Sequence, residues 1–210
     1  MPFSLKTYKN ILWDFDGVII DSMEVRDLGF ELIFKDFDKD KIDELIQFHR
    51  QNGGWSRYVK IRYFFEEILK TTCSESLVEE YAEKFSIVMR EKLIKTDYLI
   101  EDSISFIKQN KLKFNFHIVS GSDDVELNFL CKSLKLDTYF HSIHGSPTPK
   151  SNLVKNLIDS CGYEASETCL IGDSINDFEA AQDNGISFFG YNNPRLRSNQ
   201  FYIESFNESL

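Results

Sequence analysis

The sequence is poor in the features that mark secreted, membrane-embedded or polyanion-binding chains. Its four cysteines, Cys73, Cys131, Cys161 and Cys169, form neither a Cys-x-x-Cys pair nor a zinc spacing. That excludes a disulfide framework and makes a reducing cytoplasm the expected location. No stretch approaches the roughly 18 consecutive apolar residues of a membrane span. Residues 1–10 are mixed and polar, without the apolar centre of a signal peptide. No Pro-rich tract, internal repeat or low-complexity linker interrupts the chain. Positive charge is scarce too: 24 Lys and Arg stand against 34 Asp and Glu, a net charge of −10. Nucleic acid and anionic membranes are thereby disfavoured as partners, because binding either rests on neutralising phosphates. Any anionic ligand must be attracted locally, by a metal ion and a few cations.

What is present is a globular balance, 42% hydrophobic and 28% charged among 210 residues, enough for one full core and a small second domain. Apolar runs at 11–13, 114–119, 168–171 and 186–189 read as buried strands, and helical periodicities alternate with them. That alternation implies an α/β fold, a doubly wound parallel sheet with helices on both faces and ligands at the carboxyl ends of its strands. Between residues 21 and 96 strand signals vanish, and helical patterns fill 25–34, 42–48, 58–69 and 77–93.

Acidic residues cluster where two of these strands end. Asp14-Phe15-Asp16-Gly17 follows Ile11-Leu12-Trp13, and Gly172-Asp173-Ser174-Ile175-Asn176-Asp177 follows Cys169-Leu170-Ile171. Alone, an Asp-x-Asp-Gly is an ordinary turn, and Ser174 with Asp177 fits a helix capping box. Together they suggest one divalent cation held between two strand ends, and carboxylate oxygens suit a hard ion such as magnesium. Between them, Ser120-Gly121-Ser122 precedes a helical stretch at 125–134. Small residues and a hydroxyl there suit an anion site at a helix start, or simple capping by Ser122 or Asp123. Lys150 sits in a loop ahead of the pattern at 153–158, where a lone lysine is ordinarily a solvated charge. His141 and His144 have no third ligand nearby and read as structural.

These four motifs, in this order, resemble those of the haloacid dehalogenase superfamily, in its phosphatase and phosphomutase branch. The extension Asp14-Phe15-Asp16-Gly17-Val18-Ile19-Ile20-Asp21-Ser22 is similar to the signature of phosphoglycolate phosphatases and β-phosphoglucomutases. The resemblance implies a Rossmann-like core over 1–20 and 97–210, with a helical cap domain over 21–96. It implies Asp14 as nucleophile, Asp16 as general acid and base, and Ser120, Gly121 and Lys150 as holders of the phosphoryl oxygens. Magnesium would be held by Asp14, the Asp16 backbone carbonyl and Asp173, and Asp177 would orient Lys150 or a metal-bound water.

In related capped phosphatases the loop corresponding to Gln51-Asn52-Gly53-Gly54-Trp55-Ser56-Arg57 reaches toward the substrate. Arg57 and Lys60 are accordingly candidate substrate contacts, with solvated surface charges as the plain alternative. The loop also reads as a helix-to-helix turn, with Ser56 capping the following helix. The expected activity is magnesium-dependent hydrolysis of a small phosphorylated metabolite through an aspartyl-phosphate. A phosphosugar mutase and a non-catalytic binding protein are the alternatives. A monomer or small homo-oligomer is expected.

Overall fold

The computed structural model describes residues 4–206. Its strands are β1 (Asn10–Trp13), β2 (Asn115–Asp123), β3 (Ser142–Ser146), β4 (Thr168–Gly172), β5 (Ser187–Tyr191) and β6 (Phe201–Ile203). They pair in parallel in the order β3-β2-β1-β4-β5-β6. The helices are α1 (Met23–Ile33), α2 (Lys39–Gln51), α3 (Arg57–Tyr63), α4 (Glu75–Lys92), α5 (Glu101–Asn110), α6 (Asp124–Ser133), α7 (Lys150–Cys161) and α8 (Ile175–Asp183).

The strand pattern follows from burial on two faces. Every residue of β1 and β4 is buried, and successive side chains enter two separate apolar clusters. Ile11, Trp13, Phe116, Ile118, Cys169 and Ile171 join the cluster that includes α5 and α6. Leu12, Val119 and Leu170 join the one that includes α7 and α8. A strand apolar on both sides loses its alternation and appears in sequence as a continuous run. The four expected strands correspond to β1, β2, β4 and β5. The edge strands β3 and β6 were not anticipated, because β3 is Ser-Ile-His-Gly-Ser and β6 only three residues long. Short, polar strands are how sheets commonly end.

Capping accounts for where helices start. Ser174 and Asp177 form the anticipated capping box of α8. Asp123, not Ser122, caps α6 by accepting from the Glu126 amide at 2.9 Å. Ser56 precedes α3 but makes no side-chain cap, correcting that reading. The pattern expected as one helix over 58–69 divides at Tyr63, where the chain passes into a π-helical turn, Phe64–Ile68. The wider turn buries Phe64, Phe65 and Ile68 together.

Between Asp21 and Tyr98 the chain carries α1 to α4 and no strand of the sheet. It leaves and returns at one place: the Asp21 amide donates to the Tyr98 carbonyl at 2.8 Å and Ile100 to Ile19 at 3.0 Å. The four helices close around aromatic rings, with Phe34 4.1 Å from Phe64 and 4.8 Å from Tyr81 between ring centres. Residues 53–54, between α2 and α3, descend onto the strand ends. Asn176 Nδ2 donates to the Gly54 carbonyl at 2.9 Å, and a Cβ on Gly121 would lie 2.3 Å from that same oxygen. Gly121→Ala is therefore expected to push this loop away from the sheet, lowering unfolding free energy by about 1–3 kcal/mol. Denaturant titration checks this; an unchanged midpoint contradicts the contact.

Candidate active site

Reversal of strand order at β1 and β4 opens a crevice at their carboxyl ends, the place where doubly wound sheets bind ligands. The Asp14 amide extends the ladder by donating to the Ile171 carbonyl at 2.9 Å, so Asp14 is fixed beside the exit of β4. Gly17 follows with φ of +74°, and a Cβ there would lie 2.0 Å from Asp173 Oδ2. Only glycine allows both the left-handed turn and the approach of the two acidic loops.

Lys150 is the cation of this centre. It is not a loop residue but opens α7, and it is 5% exposed, contrary to the solvated reading. Its Nζ lies 2.8 Å from Asp14 Oδ1 and also pairs with Asp177 Oδ1. Burial opposes its charge, but Asp14 and Asp177 together hold it firmly protonated, above the usual lysine range. Asp177 is fully used: its Oδ2 also accepts from the Ser174 amide at 3.0 Å and from Ser174 Oγ at 2.6 Å. A Cβ on Gly172 would lie 2.4 Å from the Asp177 side chain, so that glycine makes room for it.

One oxygen each of Asp14, Asp173 and Asp177 lies within 4.8 Å of the others. Burial, then the Asp177 charge, and more weakly that of Asp16, push the Asp14 carboxyl up to about 7 against the pull of Lys150. Burial and the charges of Asp14 and Asp177 likewise raise Asp173 well above the carboxylate range. Asp14 Oδ1 pairs with Lys150 by charge, yet it is buried and has no aligned hydrogen bond. Such a group fits a hard divalent cation, with Asp14 and Asp173 free to ligate and Asp177 already engaged. His141 and His144 belong to no comparable cluster among the described residues, and His144 Nε2 shares a hydrogen bond with Ser142 Oγ at 2.7 Å.

Asp16 is held differently. Arg26 Nε donates to its Oδ1 at 2.6 Å, Ser22 Oγ donates to the same oxygen, and Ser122 Oγ donates to Oδ2 at 2.5 Å. Burial alone would raise this carboxyl, but the Arg26 charge and the two hydroxyls outweigh it and keep it below its ordinary value. Ser122 thus serves Asp16 and not the helix. Ser120 is buried and accepts from the Ser122 amide at 3.1 Å. Ser120 and Gly121 lie within the extended run of β2, where its pairing with β3 breaks between Val119 and Asp123. The anticipated helix-start anion site is therefore a strand-exit bulge, since α6 begins only at Asp124.

Arg57 and Lys60 are buried, at 4% and 2% exposure, and both line a cavity of about 150 Å³ together with Asp14, Asp16, Ser120, Gly121 and Asp173. Their surface-charge alternative falls. Arg57 Nη1 donates to Glu126 Oε2 at 2.5 Å and to Ser86 Oγ at 2.7 Å, and its guanidinium lies over the Phe85 ring at 4.7 Å. Glu126, fully buried, also accepts from Arg26 Nη1 at 3.3 Å. Arg26, Glu126 and His49 were not anticipated, nor was the service of Ser22 and Ser122 to Asp16. The available signal was a charge inside an apolar helical stripe: Arg26 between Val25 and Phe30, Glu126 before Leu127 and Leu130. Nothing in sequence pairs those two residues across 100 positions.

Over residues 11–191 the chain matches the haloacid dehalogenase-like hydrolases. It belongs to that family of hydrolases. A 5'-nucleotidase from Pseudomonas aeruginosa is 24% identical over 190 residues, covering 87% of this chain and 82% of that protein. Among solved structures, CbbY from Rhodobacter sphaeroides in complex with phosphate superposes with a TM-score of 0.75 at 14% identity, over 96% of each chain. The hydrolase YfnB from Bacillus subtilis, bound to magnesium, gives 0.71 at 18% identity, also over 96% of each. At these identities the structures speak for the fold.

The raised carboxyls set a sign for pH. Asp14 and Asp173 bind protons more tightly folded than unfolded, where carboxyls titrate near about 4. As pH rises from about 4 through about 7 the metal-free protein therefore loses stability. A divalent cation held there would relieve that loss, so the shift in melting temperature on adding magnesium should be larger near pH 8 than near pH 5. A second expectation concerns Glu126: Glu126→Gln leaves two buried guanidinium groups without their shared carboxylate. It should cost about 3–5 kcal/mol in denaturant unfolding, as breaking a buried pair does.

Proposed function

We propose that the protein is a magnesium-dependent phosphomonoesterase for a small soluble phosphorylated metabolite of the sugar-phosphate kind, working through an aspartyl-phosphate. The observation that carries this reading is Asp14: a buried carboxylate at the strand exit, charge-paired to Lys150, with one oxygen lacking an aligned hydrogen bond. Asp14 attacks phosphorus and forms an acyl-phosphate bond as the bond to the leaving oxygen breaks. Asp16 gives that oxygen its proton, then takes one from the water that attacks phosphorus and frees Asp14. As found, Asp16 is arranged as the base, bound by Arg26 and two hydroxyls. Its acid step requires the Arg26 contact to loosen when substrate is seated.

Ser120, the Gly121 amide and Lys150 hold the phosphoryl oxygens, where preorganised donors are worth roughly 3–4 kcal/mol each. Asp14, Asp173 and the Asp16 carbonyl would hold magnesium, which supplies the charge that lets a carboxylate meet a phosphate dianion. Asp177 acts through Lys150. Residues 21–96 form the cap over a core of 1–20 and 97–210, and the descent of Gly54 onto Gly121 closes the site from above. Neither the site nor the relatives favour the phosphomutase alternative.

Asp14→Asn should abolish phosphate release while leaving the unfolding midpoint close to that of the parent. Release is measured with magnesium and with chelator on phosphorylated sugars, glycolate, nucleoside monophosphates and p-nitrophenyl phosphate. Near-normal turnover of any of these by the variant removes the nucleophile assignment, and turnover in chelator removes the metal.

A further inference from the structure

Among the described residues three besides glycine have a left-handed backbone: Lys70, Lys135 and Asn192. Lys70 and Lys135 each come just after the cap of a helical segment, where a left-handed residue is an ordinary stop. Asn192, with φ of +56°, directly follows β5 and ends no helix. A strained backbone persists only where its surroundings hold it, and such residues gather at functional sites. Successive side chains of an extended strand point to opposite sides, but after this turn two neighbouring amides reach one crevice. Asn192 Nδ2 donates to the Gly17 carbonyl at 3.0 Å, and Asn193 Nδ2 donates to the Asp173 carbonyl at 2.7 Å.

Those carbonyls belong to the two acidic loops. One is the main chain of Asp173 itself, and the other follows the Asp16 carbonyl by one residue. The loops stand close, since a Cβ on Gly17 would lie 2.0 Å from Asp173 Oδ2. They also carry like charges, with an oxygen each of Asp14 and Asp173 within 4.8 Å. Repulsion would part them, and the asparagine pair bridges them from a third strand end. That end is well anchored. Asn193 Oδ1 accepts from the Arg195 amide at 3.2 Å, opening the short 3-10 helix Pro194–Ser198, which leaves Nδ2 aimed at Asp173. Just before the pair, the Tyr191 hydroxyl donates to Asp102 Oδ2 at 3.1 Å. An amide suits the task better than a lysine or an arginine, because it donates to a carbonyl without adding a charge that would compete with a cation.

Resting on the magnesium reading above, we infer that Asn192 and Asn193 are positioning residues that clamp the two acidic loops at the spacing a divalent cation needs, and so set the affinity for that ion. They act on the main chain of the loops that carry the ligands. Neither belongs to the four motifs of the sequence. Groups that orient a metal's ligands typically account for about 10- to 100-fold in its affinity.

The test uses the full chain and magnesium alone. Affinity is read from the rise in melting temperature with magnesium concentration, for the parent and for two variants chosen to spare the fold. Asn192→Gly keeps the left-handed turn, which glycine adopts freely, and deletes one amide. Asn193→Ser keeps an oxygen to cap the 3-10 helix and deletes the other. Each should weaken magnesium binding by about 10-fold or more, while the metal-free melting temperature stays close to the parent's. In turnover of p-nitrophenyl phosphate the magnesium concentration for half-maximal rate should rise by the same factor. The kcat at saturating magnesium should stay within about 3-fold of the parent's.

Magnesium affinity within about 2-fold of the parent's in both variants overturns the clamp and leaves the metal site standing. A lower metal-free melting temperature with unchanged magnesium affinity also overturns it, assigning the pair to the fold alone. A parent whose melting temperature does not respond to magnesium removes the metal reading and the clamp together, which separates that failure from the clamp's own.

Discussion

The ammonium of Lys150, buried between Asp14 and Asp177, is the interaction on which the rest of the centre depends. Two carboxylates out of water need a counter-charge, and desolvation makes each far more costly alone than paired. Lys150 supplies it from the first turn of α7. Its position explains why Asp177 sits where it does, completing the capping box that Ser174 opens for α8 and serving as the second anchor of the ammonium. One positive charge among Asp14, Asp173 and Asp177 still leaves an excess of negative charge, and the raised carboxyls of Asp14 and Asp173 express it. A centre built in this way has the charge and the oxygens to hold a divalent cation.

The opposite wall has the reverse excess. Arg26 and Arg57 approach Glu126 from α1 and α3, and Lys60 adds a third charge that no acid meets. Between an acid-rich strand end and a cation-rich helical wall, a phosphate ester would lie along the field with its phosphoryl group toward the metal side. Glu126 keeps the two arginines from repelling each other outright, and as a residue of α6 it ties both to the strand that carries Ser120 and Gly121. Arg26 also reaches Asp16, so the carboxylate proposed as acid and base is in electrical contact with the wall that would receive the leaving group.

What could be read in the sequence followed from local signals. Strands buried on both faces announced themselves as apolar runs, and two acidic turns after them marked the crevice. The capping box at Ser174 was visible because it is written within four residues. Lys150, Arg57 and Lys60 could be named but not placed, since a charged side chain in a helical pattern looks the same whether solvated or buried. Glu126 and Arg26 were illegible for a different reason: each makes sense only through the other, and their meeting is set by tertiary packing, with α4 lying against both α1 and α6. The edge strand β3 escaped notice because its Ser, His and Gly side chains carry no alternation, its place being fixed by backbone pairing to β2.

The state of Asp16 shows how these two walls are coupled. Three donors on one carboxylate favour its ionised form, which suits accepting a proton from water but opposes delivering one to an alkoxide. In the mechanism proposed above the same residue does both in sequence, so its surroundings would have to change between steps. Arg26 is the donor that can change, because it alone of the three also contacts Glu126, whose second oxygen is held by Arg57. In that mechanism an anion at Arg57 would compete with Glu126 for the guanidinium and leave Glu126 freer to take more of Arg26. Asp16 would then lose its Arg26 donor as the leaving group settles beside it. The order of acid step and base step would follow from occupancy of the helical wall, with the product alcohol's departure returning Arg26 to Asp16 in time for water.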